Sequence, residues 1–232
     1  MANFACAAEV LAPLVPAGTE LDAHGGTTQV SLVGFMFRDT RLLGVPVPFH
    51  RTFEEVNLRF YVRREAPDGV RRGVVFVREL VPRPALAIVA RLAYQERYLA
   101  VPMSHRIDLD RDPEPSAGRV EYSWRYERSP FRLGVTVDSP LEEVPVASEA
   151  EFITEHYWGY VAQRDGSTVE YAVEHPRWRA HAVRDVVVEG DFAALYGDDL
   201  GKVLSAPPMS AFLAEGSEIT VRRGRTLPRS SA

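Results

Sequence analysis

From Glu54 to Arg63 the chain alternates. Val56, Leu58, Phe60 and Val62 form one face, and Asn57, Arg59, Tyr61 and Arg63 form the other. A period of two marks a strand with one dry face. Pro67, Asp68 and Gly69 then supply a turn, and "RRGVVFVRELV" reads as the return strand. A turn centred on Asp68 sets Asn57 opposite Glu79, Arg59 opposite Val77 and Tyr61 opposite Val75. Val56, Leu58 and Phe60 then meet Leu80, Arg78 and Phe76 on the other face. Arg59 and Glu79 become diagonal neighbours. A slip of one residue would bring Arg78 to Asn57 and scatter the group.

The same pattern recurs along the chain. "TTQVSLVGFMFRDTRLLGVPVP" begins as a strand and ends in a stretch that Pro46 and Pro48 keep extended. "GRVEYSWRYER" sets Val120, Tyr122, Trp124 and Tyr126 against Glu121, Ser123, Arg125 and Glu127, and "FRLGVTV" is a further strand. Asp165-Gly166 predicts a hairpin that places Tyr160 opposite Tyr171, Trp158 opposite Val173 and His156 opposite His175. Helical patterns are fewer. A short one opens the chain, and a mostly apolar one, "ALAIVARLAYQERY", follows Pro82 and Pro84. Ser148 and Glu151 form a capping box for a helix over 149–155, and another helix is expected near 190–196. "SEITVRR" ends the pattern as a terminal strand. No repeat, linker or charge block divides the chain. The expectation is one mostly antiparallel α+β domain over 1–232, a barrel or a curved half-barrel.

The polar face of the first hairpin raises the question of chemistry. If it lines a lumen, Asn57, Arg59 and Glu79 must satisfy one another or a ligand. One reading is an ion pair that ties two strands. The other is a ligand site in which arginine grips a carboxylate and Glu79 is the catalytic acid–base group. Arg91, Tyr94 and Tyr98 share a helical stripe that would roof the site or anchor the helix. His50 stands in an irregular segment and is read either as a ligand-binding residue able to titrate near neutral pH or as a surface or hydrogen-bonded loop histidine. Tyr157, Tyr160 and Tyr171 are core, or the wall of an apolar ligand pocket. The facing His156 and His175 lack a third ligand at metal spacing, so no metal is expected. "HGG" at 24–26 reads as a turn.

Composition narrows the classes. The net charge of −5 gives no electrostatic drive towards nucleic acid or an anionic membrane. Cys6 is the single cysteine, which excludes an intrachain disulfide, and Lys202 is the single lysine. No basic leader, no span-length apolar run, no Walker loop and no G-x-G-x-x-G is present. A cytoplasmic protein with a small-molecule ligand and no cofactor is the expectation, its oligomeric state unspecified.

The stretches from Val30 to Arg63 and from Arg71 to Tyr98, with "TEHYWGYVAQRDG" and "VEHPRW", resemble the YqjF-like family, domain of unknown function 2071. The resemblance runs from about Pro13 to about Leu227. It implies the acetoacetate decarboxylase-like superfamily: a closed, cone-like antiparallel barrel with peripheral helices and a central cavity. Decarboxylases of that superfamily use a cavity lysine as a Schiff base after an R-E-x-x-G-F-P-K segment. The comparable stretch, Arg91 to Met103, has no lysine, and Lys202 sits beside Asp198 and Asp199, which favour its charged form. The Schiff-base mechanism is therefore not carried over. Two readings remain: an enzyme on small oxo-acids or related carbonyl metabolites, or a non-catalytic binding module for a carboxylate or apolar ligand.

Overall fold

The structure, a computed structural model, describes residues 1–42, 45–46, 52–83, 97–110 and 116–227. Strands β1 (Ala2–Ala5), β2 (Glu20–Leu21) and β3 (Gln29–Phe37) come first. β4 (Arg41–Leu42) and β5 (Val45–Pro46) pair as a small separate sheet. The long hairpin of β6 (Phe53–Ala66) and β7 (Gly69–Val81) follows, then β8 (Tyr98–Ala100), β9 (Met103–Leu109), β10 (Gly118–Tyr126), β11 (Ser129–Val137) and β12 (Glu142–Glu143). A helix, Glu149–Thr154, precedes β13 (Trp158–Ala162), β14 (Thr168–Glu174) and β15 (Arg179–Glu189). Helices Phe192–Tyr196 and Asp198–Leu204 lead to β16 (Ser210–Ala214), β17 (Thr220–Val221) and β18 (Arg225–Thr226).

One large sheet runs in the order β17-β14-β13-β7-β6-β3-β1-β16-β15-β11-β10-β9. This corrects the expected closed barrel: the path has two ends, and among the described residues β9 does not pair with β17. The sheet curls without closing. Among the described residues β9 meets β6 through side chains, His105 Nδ1 lying 3.3 Å from Glu54 Oε2. Nearly all pairings are antiparallel, but β13 and β8 both run parallel to β7.

The curl encloses the main core. Val56, Leu58, Phe60 and Val62 pack there with Phe4, Val30, Leu32, Trp124, Phe131 and Tyr160, and Phe192, Leu195, Leu200 and Leu204 of the two late helices join them. The opposite face of β6 is also covered. Tyr61, Val74, Phe152, Ile153 and Phe212 form a second cluster under the 149–154 helix. That helix starts as its capping residues predict, with Ser148 Oγ accepting from the Glu151 amide at 3.1 Å. Glu151 Oε2 reaches back to the Ala147 amide at 2.5 Å.

Both hairpin registers differ from expectation. At the first turn Ala66 pairs with Gly69, which places Tyr61 opposite Val74 and Arg59 opposite Phe76, each one residue from its predicted partner. A bulge between Leu58 and Arg59 then absorbs Val77 and restores Leu58 to Arg78, Asn57 to Glu79 and Val56 to Leu80. In the second hairpin the loop has three residues, not two. Gln163 and Ser167 close it, with Gly166 at φ +80°. Tyr160 consequently faces Glu170, Tyr171 faces Gly159 and Trp158 faces Ala172. "ALAIVARLAYQERY" falls outside the described residues except Arg97 and Tyr98, and Tyr98 stands in a strand rather than on a helical stripe.

Candidate functional site

Glu55, Asn57 and Glu79 lie on the face of the first hairpin turned away from the main core. Asn57 and Glu79 are cross-strand partners, and Glu55 precedes Asn57 by two, so the two carboxyls flank one amide. β8 adds Tyr98 alongside Glu79. All three hairpin residues are sealed from solvent: Glu55 is 1% exposed, Asn57 2% and Glu79 3%. Asn57 Nδ2 donates to Glu55 Oε1 at 3.1 Å. Phe53, Val81, Phe37, Tyr98 and Ala100 form the apolar patch beside them. Burial in that surround pushes the Glu55 carboxyl up to about 7, against the pull of hydrogen bonds from Asn57 and Tyr98. Glu55 Oε2 and Asn57 Oδ1 are buried and have no hydrogen-bond partner among the described residues.

Arg59 does not join this group. Its guanidinium donates to the Ile153 carbonyl at 3.2 Å, touches Met1 Sδ at 3.7 Å and lies 5.7 Å from the Tyr61 ring. The expected contact with Glu79 is absent, because the bulge inserts Val77 between Glu79 and Phe76, the residue opposite Arg59. Arg59 instead borders a second buried polar group, where the Tyr61 hydroxyl meets Ser31 Oγ at 2.5 Å and Ser31 donates to Asn3 Oδ1 at 2.7 Å. His156 packs between Tyr61, tilted against it, and Phe152, edge-on to it, with ring centroids 4.7 and 5.2 Å away. Burial lowers its pKa to about 4, so the imidazole is neutral at neutral pH.

The three tyrosines do not build one wall. Tyr160 is buried in the main core, whereas Tyr171 packs over Gly159 on the opposite face of the hairpin. The Tyr157 hydroxyl donates to Glu155 and its ring stacks on His175. His50, Arg91 and Tyr94 fall outside the described residues. Lys202 lies on the 198–204 helix with its side chain 79% exposed and pairs with Asp199 at 3.7 Å. Among the described residues no cluster of three or more His, Cys, Asp or Glu is arranged to hold a metal ion. No helix among them is long and apolar enough to cross a membrane. Sequence reasoning missed Glu55 and misplaced Tyr98, although Glu55 simply extends the alternation of Asn57, Arg59 and Tyr61 by one step.

The chain has a strand-rich α+β fold similar to that of acetoacetate decarboxylase-like proteins. It is similar to the enduracididine biosynthesis enzyme MppR complexed with pyruvate (TM-score 0.62, 15% identity, 99% of this chain and 88% of that one). It is also similar to an acetoacetate decarboxylase-like enzyme from Sphingomonas wittichii RW1 (0.61, 14%, 98% and 89%). Acetoacetate decarboxylase from Legionella pneumophila subsp. pneumophila str. Philadelphia 1 is comparable (0.60, 10%, 99% and 84%). At such identities the likeness is one of fold. The chain belongs to the DUF2071 family, described as an uncharacterized conserved protein, whose profile matches residues 1–218. The uncharacterized protein YqjF of Bacillus subtilis (strain 168) is 39% identical over 62 residues, a match that spans 26% of each chain.

Proposed function

We propose that this chain is an enzyme that moves a proton on small oxo-acids or related carbonyl compounds, with carboxyl groups rather than a Schiff-base lysine. The observation that carries this reading is the buried pair Glu55 and Glu79 on either side of Asn57. The two carboxyls are diagonal neighbours on one buried face, and burial favours the protonated form of Glu55 beside the second carboxyl. Such a pair offers an acid and a base at once. Glu79 takes the proton from the carbon next to the substrate carbonyl, and Glu55 gives its own proton to the carbonyl oxygen. The product is the enol, and return through the same steps regenerates the keto form. Asn57 Oδ1 is a spare acceptor for a substrate hydroxyl. Likeness of fold to a protein complexed with pyruvate supports a 2-oxo acid as the first compound to try.

The test is exchange of the pyruvate methyl protons in D2O, followed by NMR. The native chain accelerates exchange. Glu55→Gln and Glu79→Gln each lower the rate by roughly 100-fold while the far-UV spectrum stays native. Borohydride added during turnover leaves the mass of Lys202 unchanged. Full exchange activity in both variants rules the carboxyls out. Pyruvate that raises the melting temperature with no exchange points to the binding module instead.

A further inference from the structure

We propose that β9 is a homodimer interface, two copies pairing edge to edge and antiparallel with Ile107 on the two-fold axis. β9 is one end of the large sheet, and among the described residues its backbone pairs only with β10. Its pairing with β10 is continuous, with no bulge from Met103 to Leu109, and the strand carries neither proline nor lysine. Among the devices that usually blunt a free edge, bulge, proline and lysine are therefore missing from it, and its charges, Arg106 and Asp108, are of opposite sign. The centre of the strand is exposed on both faces, and Ile107 is a large apolar side chain 39% exposed.

The alternation of hydrogen bonds fixes which groups are free. The Asp110 amide donates to Ala117 O at 2.9 Å, and the Arg125 amide donates to Pro102 O at 3.0 Å. Even-numbered residues of β9 thus bond to β10, and the N–H and C=O groups of His105, Ile107 and Leu109 point outward. An antiparallel copy can engage those groups only when odd residues face odd residues. Centring on Ile107 sets His105 against Leu109 and places Arg106 opposite the partner copy's own Asp108, in the close, non-hydrogen-bonded position. The adjacent allowed registers set Arg106 against Arg106 or Asp108 against Asp108 and are repulsive. Within one copy Arg106 already contacts Asp108 at 3.0 Å, with both side chains largely exposed, so pairing exchanges the two internal ion pairs, one in each copy, for two between copies.

Sedimentation equilibrium of the full chain tests this. The native protein is expected to be a dimer. Arg106→Asp and Asp108→Arg each abolish the dimer, and the double variant R106D/D108R restores it. Both positions are at the surface, so circular dichroism of all three variants stays native. A native chain that sediments as a monomer overturns the proposal, and so does a dimer that survives either single change or a double variant that stays monomeric.

Discussion

Glu55 differs from the other glutamates of this chain in the company it keeps. Its neighbour Glu54 points to the other face of β6 and finds His105, but Glu55 has one amide, one phenol and an apolar patch. The physical consequence is a carboxyl that folding keeps protonated. Its folded pKa of about 7 lies above its ordinary value of 4.5. The fold binds the proton more tightly than the unfolded chain does. The resulting stabilisation is present below about pH 4.5 and is lost as the pH rises through 7. The full effect is roughly 3 kcal/mol, or a fall in Tm of roughly 5–10 °C. Glu55→Gln removes that fall, which a series of thermal melts from pH 5 to 8, on the order of one unit apart, will show. His156 works in the opposite sense. Its folded pKa is about 4 against 6.5, so its contribution is present above pH 6.5 and is lost as the pH falls towards 4.

At the scale of elements, the site depends on how β7 is held. On one edge it pairs with β6, and on the other it takes β13 and then β8, both in parallel. Gly73 makes the β13 seam possible, since a Cβ there would stand 2.6 Å from the Trp158 carbonyl oxygen and equally near the Tyr160 ring. Gly73→Ala is expected to lower the urea midpoint by the equivalent of roughly 1–3 kcal/mol with little change in slope. A midpoint unchanged by the substitution would mean that the seam is loose. The β6–β7 hairpin itself was legible in the alternation and in Pro67-Asp68-Gly69. The pairing of Asn57 with Glu79 was expected, but it arises through a bulge that a run of valines does not advertise. The Asp165-Gly166 hairpin shows the same limit: the turn was visible, while the third loop residue that sets Tyr160 and Tyr171 on different faces was not. β15 was missed because charged residues interrupt its apolar alternation. The parallel seams were missed because pairing between strands far apart in the chain leaves no local signal.

At the scale of the molecule, the alternation of apolar and polar residues foretold a strand-rich chain with one dry face; the second covered face, under the 149–154 helix, was not foretold. The alternation allowed both a barrel and a curved half-barrel, and it was the family resemblance that implied closure, which the open sheet corrects. An open sheet leaves β9 as an edge, and the proposed dimer would cover it. The proton-transfer reading makes no use of that edge and stands on the far face of β6 and β7. There the two proposals separate cleanly, because Arg106 and Asp108 play no part in the carboxyl pair. The central claim is that Glu55 is a carboxyl held protonated near neutral pH. The most direct measurement is the titration of its side-chain carbon by NMR in protein labelled with 13C-glutamate, the resonance assigned by its loss in Glu55→Gln. A midpoint near 7 is the expected result. A midpoint at the ordinary glutamate value of 4.5 would contradict the account.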